Sequence, residues 1–215
     1  LLAIAAMLLF SLPSLLHLGY RPGHRHAMAD RGLLATLLSP PDDGPWLVLG
    51  ELQLGTLSRE PRQRLEALVA EAPEVDRRGQ NLLCRGRPWP MPDWATYQAL
   101  AAAHPLAGLL AVNGPRLHHA GFDCQRLGGS LADLDRRLAE CGFIGSGDRQ
   151  HGLFPVSGLL DYRFYATHSQ RLPFADGDEH RIESGGLALV QKSVSAHQER
   201  AVELLLPHHT RCEIA

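Results

Sequence analysis

Apolar residues fill the first ten positions without a break, and Ser11, Pro13 and Ser14 then divide the uncharged opening stretch into that run and a short amphipathic piece. About ten apolar residues are half of what a membrane-spanning helix requires. No basic segment precedes them and the chain does not begin with Met, so the pattern predicts a buried strand over residues 3–10 and a clipped N-terminus rather than a secretory leader. A short helix follows, starting near Ser11 with Pro13 in its first turn. After Gly19-Tyr20 come a polar turn, an apolar run over 33–38, the turn Ser39-Pro40-Pro41-Asp42-Asp43-Gly44 and a strand-like run over 46–54. This is a β-α-β-β-β order. Residues 59–72 then read as an amphipathic helix, with Leu65, Leu68 and Val69 at helical spacing. Beyond the Pro-rich passage Arg87-Pro88-Trp89-Pro90-Met91-Pro92 a second helical stretch covers 93–100, with Asp93 as its N-cap.

From Arg116 the order repeats. A strand is predicted over 117–124, a helix over 130–141, a turn at Gly142-Phe143, an extended segment near Leu153, a strand over 159–166, a turn at Asp176-Gly177-Asp178 and a strand over 181–191. Leu15-Leu16-His17-Leu18-Gly19-Tyr20 and Leu138-Ala139-Glu140-Cys141-Gly142-Phe143 match in kind: each ends a helix on a glycine and places an aromatic residue next. The reading is an α+β fold of two β-α-β-β-β modules that curl into facing halves of one structural domain. The first module spans residues 1–58, a helical insertion 59–115, and the second module with a C-terminal tail 116–215.

Composition narrows the function classes. A net charge of −2 removes the cationic excess that phosphate backbones require, so nucleic acid is excluded as a general partner. The only lysine, Lys192, sits in Val190-Gln191-Lys192-Ser193, which is no phosphate-binding loop, and no Gly-x-Ser-x-Gly elbow occurs. Cys84, Cys124, Cys141 and Cys212 form no Cys-x-x-Cys pair and no dense disulfide framework, which points to a reducing cytoplasm; no membrane partner is implied. Twelve histidines raise the expectation of a metal or acid/base site.

Two positions stand out. In Arg116-Leu117-His118-His119 strand alternation sends the adjacent imidazoles to opposite faces, His118 with Ala120, Phe122 and Cys124 toward a packing helix, and His119 into the concavity. Glu183, in Arg181-Ile182-Glu183-Ser184-Gly185-Gly186, lies on the polar face of the last strand. One His and one carboxylate are two thirds of the donor set that leaves Fe(II) open to oxygen and substrate.

The segments Leu83-Cys84-Arg85-Gly86-Arg87-Pro88-Trp89, Trp94-Ala95-Thr96-Tyr97-Gln98-Ala99-Leu100 and Asn113-Gly114-Pro115-Arg116-Leu117-His118-His119 resemble, in order and spacing, the 2-oxoadipate dioxygenase/decarboxylase (D-2-hydroxyglutarate synthase) family. Leu49-Gly50-Glu51-Leu52, Phe174-Ala175-Asp176-Gly177 and Ile182-Glu183-Ser184-Gly185-Gly186-Leu187-Ala188-Leu189 support the likeness. The resemblance implies a vicinal-oxygen-chelate-like cup and an Fe(II) ion, or another divalent metal, held by His119 and Glu183. It further implies conversion of 2-oxoadipate, or a similar 2-oxo dicarboxylic acid, and O2 to 2-hydroxyglutarate in lysine breakdown, and the superfamily offers homodimeric pairing. The family's N-terminal His and substrate-binding Arg have no counterpart in residues 3–10. Glu51 is therefore weighed as a third ligand, and Arg163, Arg116 and Arg181 as carboxylate binders. Two alternatives stay open: a truncated or decayed non-catalytic member, and an oxygen-independent lyase or isomerase using Glu51, His119 and Glu183.

Overall fold

The computed structural model describes residues 2–7, 12–28, 32–72, 86–144, 154–157, 160–182 and 185–192. Its first module runs β1 (Leu2–Met7), α1 (Leu12–His17), β2 (Arg21–Met28), β3 (Leu33–Ser39) and β4 (Trp46–Leu52). Three helices follow, α2 (Arg59–Ala70), α3 (Trp94–Ala103) and α4 (Pro105–Asn113). The second module is β5 (Arg116–Asp123), α5 (Leu131–Glu140), β6 (Phe154–Ser157), β7 (Leu160–Ala166) and β10 (Gly186–Lys192), interrupted by a separate hairpin, β8 (Gln170–Pro173) and β9 (Glu179–Ile182).

One sheet takes both modules, in the order β2-β3-β4-β1-β5-β10-β7-β6. The order is the same read inward from either edge. In each half the first strand lies parallel to the last, β1 against β4 and β5 against β10, and the antiparallel pair β1–β5 joins the halves. The vicinal-oxygen-chelate-like α+β fold expected from the sequence is the fold observed.

The repeated helix ends have one physical form. Gly19 and Gly142 adopt φ 88° and 86°, a left-handed conformation that glycine reaches without a Cβ penalty. Tyr20 N–H donates to Leu15 O and Phe143 N–H to Leu138 O, at 3.1 and 2.9 Å, and each glycine N–H reaches back three residues. This is the Schellman closure, made twice at equivalent places.

Side-chain alternation divides the sheet into two faces. On one, α1 packs Leu15 against Leu38, Leu47 and Leu49, and α5 packs Leu131, Leu134 and Leu138 against Phe122, Cys124, Tyr165, Leu187 and Leu189. Asp135 of α5 fastens that layer, accepting from Tyr165 Oη at 2.6 Å and pairing with Arg163 Nε at 2.5 Å. Burial and this neighbouring carboxylate push the Tyr165 hydroxyl well above its ordinary range. On the other face the helical insertion covers the first module: Leu65, Leu100, Leu106 and Leu110 close over Leu33, Ala35 and Leu52.

The motif that reads most distinctively in the sequence, Arg87-Pro88-Trp89, ties the insertion together. Arg87 donates to Trp89 O and Val112 O, and Trp89 Nε1 donates to Ala111 O, so the segment satisfies the last-turn carbonyls of α4.

Several elements differ from expectation, the unforeseen strand β8 among them. Residues 21–28, read as a polar turn, form the edge strand β2; Arg21, Pro22 and Arg25 suit an edge, where a missing N–H and outward charge discourage further pairing. Helix α4 escapes a periodicity test because Pro-Leu-Ala-Gly-Leu-Leu-Ala-Val is apolar all round, and six of its residues are buried. The single strand expected over 181–191 is two strands in two sheets, with Gly185 at φ 128° leading into β10.

Candidate functional site

The inner face of the second module carries His119. His119 is 3% exposed and is paired across the sheet with Ala5 of β1 and Gly186 of β10. The β1–β5 register slips between Ala5 and Ala6, which face His119 and Leu117, leaving His118 as the extra residue of a β-bulge. Strict alternation therefore fails here. His118 does not join Phe122 and Cys124 under α5, as the sequence pattern predicts. Its Nδ1 stands 3.0 Å from Nδ1 of His119, with the two rings nearly perpendicular. Phe164 of β7 meets the edge of His119.

A cavity of about 540 Å³ opens beside His118. Helices α3 and α4 supply Tyr97, Ala101 and Leu109 to its wall, and the second module supplies Phe164, Arg181 and Ile182. Its size falls within the range that accommodates small ligands. Gly185 also lines it and packs directly against the carbonyl oxygen of His118, where a Cβ would not fit.

The β8–β9 hairpin is held to the insertion by aromatic stacking. His180 lies flat on Trp94, ring centroids 3.7 Å apart and 9° from parallel, and Phe174 meets both edge-on. Trp94 N–H donates to Asp176 and Ala175 N–H to Pro92 O. Asp93 caps α3 by accepting from Thr96 N–H at 2.6 Å, and hydrogen bonding by Thr96 holds its carboxyl below the usual range.

The structure separates the residues that the sequence nominates. Glu51 has the strand parity of Leu47 and Leu49, which face α1, and it pairs with Arg25 at 3.8 Å. It therefore faces the side of the sheet opposite His119. Arg163 shares that opposite side; it is paired with Leu189, bound to Asp135, and stands over the Tyr165 ring. Arg116 donates to Asn113 and lines a small cleft adjoining His118. Arg181 alone of the three is on the cavity wall. Glu183 lies outside the described residues, between cavity-lining Ile182 and Gly185 in sequence. Cys124 is buried under α5, where desolvation lifts its thiol to about 11 and keeps it protonated.

The 3.0 Å between the two Nδ1 atoms is a hydrogen-bond distance, one ring donating to the other according to tautomer; nitrogens that ligate one ion stand roughly 3.0–3.4 Å apart as well, so the separation by itself is compatible with either. Among the described residues no third His, Cys, Asp or Glu joins them. Nor do these residues include a helix long and apolar enough to cross a membrane.

No protein-family model matches the chain, and no curated protein matches it. Solved structures do. A candidate hydrolase of Shewanella frigidimarina superposes with a TM-score of 0.80 at 22% identity, over 90% of this chain and 80% of that one. A hydroxyglutarate synthase of Oryza sativa in complex with 2-oxoadipate gives 0.78 at 21%, over 90% and 70%. A candidate glyoxalase-superfamily protein of Ralstonia eutropha gives 0.68 at 13%, over 88% and 70%. At these identities the likeness establishes the fold.

Proposed function

We propose that the chain is a metal-dependent enzyme of small 2-oxo acids, an Fe(II) dioxygenase/decarboxylase acting on 2-oxoadipate or a near homologue. The observation that carries this reading is the His118–His119 contact, in which His119 is buried and His118 lines a small-ligand cavity, on a fold shared with a synthase complexed with 2-oxoadipate. His119 and Glu183 are the proposed metal ligands, with His118 as an added imidazole donor that the bulge brings within reach. When bound, a divalent ion supplies the Lewis-acid anchor for a 2-oxo acid and, as iron, the redox couple for oxidative decarboxylation.

The chain's own part is positional. Phe164 against His119 fixes the imidazole and excludes water from one side. Leu109 and Ile182 give the cavity an apolar wall suited to a methylene chain, and Gly185 admits the backbone of β5 closely enough to close the pocket beneath His118.

A second reading has an observation of its own. Ala5 and Gly186, the residues paired with His119, carry no donor atom, and Glu51 faces away. That is the pattern of a decayed site that retains the scaffold. It counts equally against the oxygen-independent alternative, which needs Glu51.

The test is anaerobic reconstitution with Fe(II), followed by O2 uptake and product analysis on 2-oxoadipate, with Glu183→Ala as control. Substrate-dependent uptake with 2-hydroxyglutarate formed, and lost in the variant, supports the enzyme. A folded chain without uptake supports the decayed scaffold.

A further inference from the structure

We propose that Arg181 anchors the distal carboxylate of a linear dicarboxylic ligand, making the β8–β9 hairpin the element that selects two-acid over one-acid ligands. The inference rests on reading the cavity as a 2-oxo acid site.

Among the described residues Arg181 is the one cavity-lining residue with a permanent charge. Its guanidinium donates to Ser169 O at 3.1 Å and Ser169 Oγ at 3.3 Å. Both acceptors are neutral, so they aim the group and leave its charge uncompensated. Directly across the hairpin stands Arg171. Like charges opposite each other weaken a two-stranded ribbon, and a free hairpin has little stability to spare. The opposing residue is balanced: Arg171 pairs with Glu179 at 3.5 Å. No carboxylate among the described residues does this for Arg181. The guanidinium is exposed at the cavity wall, where it is accessible to an anionic ligand, and its planar fork suits a carboxylate.

The remaining wall agrees with the ligand class. Leu109, Phe164 and Ile182 are apolar, as a chain of methylenes between two acid groups requires. The hairpin is also firmly seated, because the His180–Trp94 stack lies one residue from Arg181. It has no counterpart in the first module, whose β3 and β4 follow each other directly in the main sheet.

The test compares binding of 2-oxoadipate and 2-oxohexanoate to the full chain by calorimetry, with metal content measured on the same samples. The wild-type chain is expected to prefer the dicarboxylate by tenfold or more. Arg181→Gln should bring 2-oxoadipate down to the level of 2-oxohexanoate and leave the latter unchanged, while Arg181→Lys retains part of the preference. Equal binding of the two acids by the wild type, or an undiminished preference in Arg181→Gln, overturns the proposal; if that variant does not fold, an undiminished preference in Arg181→Lys does so. A chain that takes up no metal but keeps an Arg181-dependent preference refutes the oxygenase reading alone. A metal-loaded, active chain indifferent to the distal carboxylate refutes this inference alone.

Discussion

The two modules share a strand order and a helix-ending motif, yet their inner faces have opposite fates. In the first, Leu33, Ala35 and Leu52 are sealed under Leu65, Leu100, Leu106 and Leu110 of the insertion. In the second, His118, Phe164 and Gly185 border an open cavity that the same insertion only rims, through Tyr97, Ala101 and Leu109. One half of the sheet is covered as hydrophobic core and the other borders a cavity that carries an imidazole and a guanidinium. The difference teaches that pseudosymmetry of backbone does not carry symmetry of function, because the helices laid over the sheet decide which half remains accessible.

That contrast can be broken from either side. The largest expected effect is functional: His119→Ala should lower metal-dependent turnover by more than the roughly 10- to 100-fold typical of residues that merely orient ligands, as steady-state O2 uptake would measure. The sealed half should respond in stability. Leu100→Ala removes a fully buried side chain from the centre of the insertion, and urea denaturation should register a loss of about 2–5 kcal/mol without loss of metal per folded chain. Gly185→Ala tests the border of the open half. Its φ of 128° and its contact with the His118 carbonyl leave no place for a Cβ, so a destabilisation of at least about 1–3 kcal/mol and weaker metal retention should appear together.

The smallest effect sharpens how the insertion is seated. Asp93→Ala removes the α3 cap and should cost about 0.5–2 kcal/mol at neutral pH. Because Thr96 holds the Asp93 carboxyl below its ordinary value, the cap's ionised form is favoured by folding. Its contribution is present above the unfolded-state value and is lost as pH falls through the lower folded one. The gap between wild type and Asp93→Ala should therefore narrow below about pH 4, as thermal melts across pH would reveal.

Much of this architecture is legible in the residues. Leu15 to Tyr20 and Leu138 to Phe143 announce the duplication because a helix that ends on glycine in the left-handed region leaves a local signature. Amphipathic α5 and the capped α3 are read for the same reason: their causes are local. What escapes the sequence depends on distant partners. Helix α4 has no polar face because it is buried on every side, and β2 resembles a turn because an edge strand tolerates Pro22 and charge. The site shows the effect most sharply. Neighbouring histidines on a strand should diverge, and only the slip of β5 against Ala5 and Ala6 turns His118 toward His119. Glu51 matches Glu183 by position in its module, but its strand parity, shared with Leu47 and Leu49 under α1, turns it to the face opposite His119. Of three candidate arginines, only the fold decides which one meets the cavity.

The most direct test of the division between the halves is the iron content of the anaerobically reconstituted protein, measured for the wild type, His119→Ala and Glu51→Ala. The account predicts one Fe(II) per chain in the wild type and in Glu51→Ala, and none in His119→Ala. Iron retained by His119→Ala, or lost in Glu51→Ala, would contradict the placement of the site on the inner face of the second module.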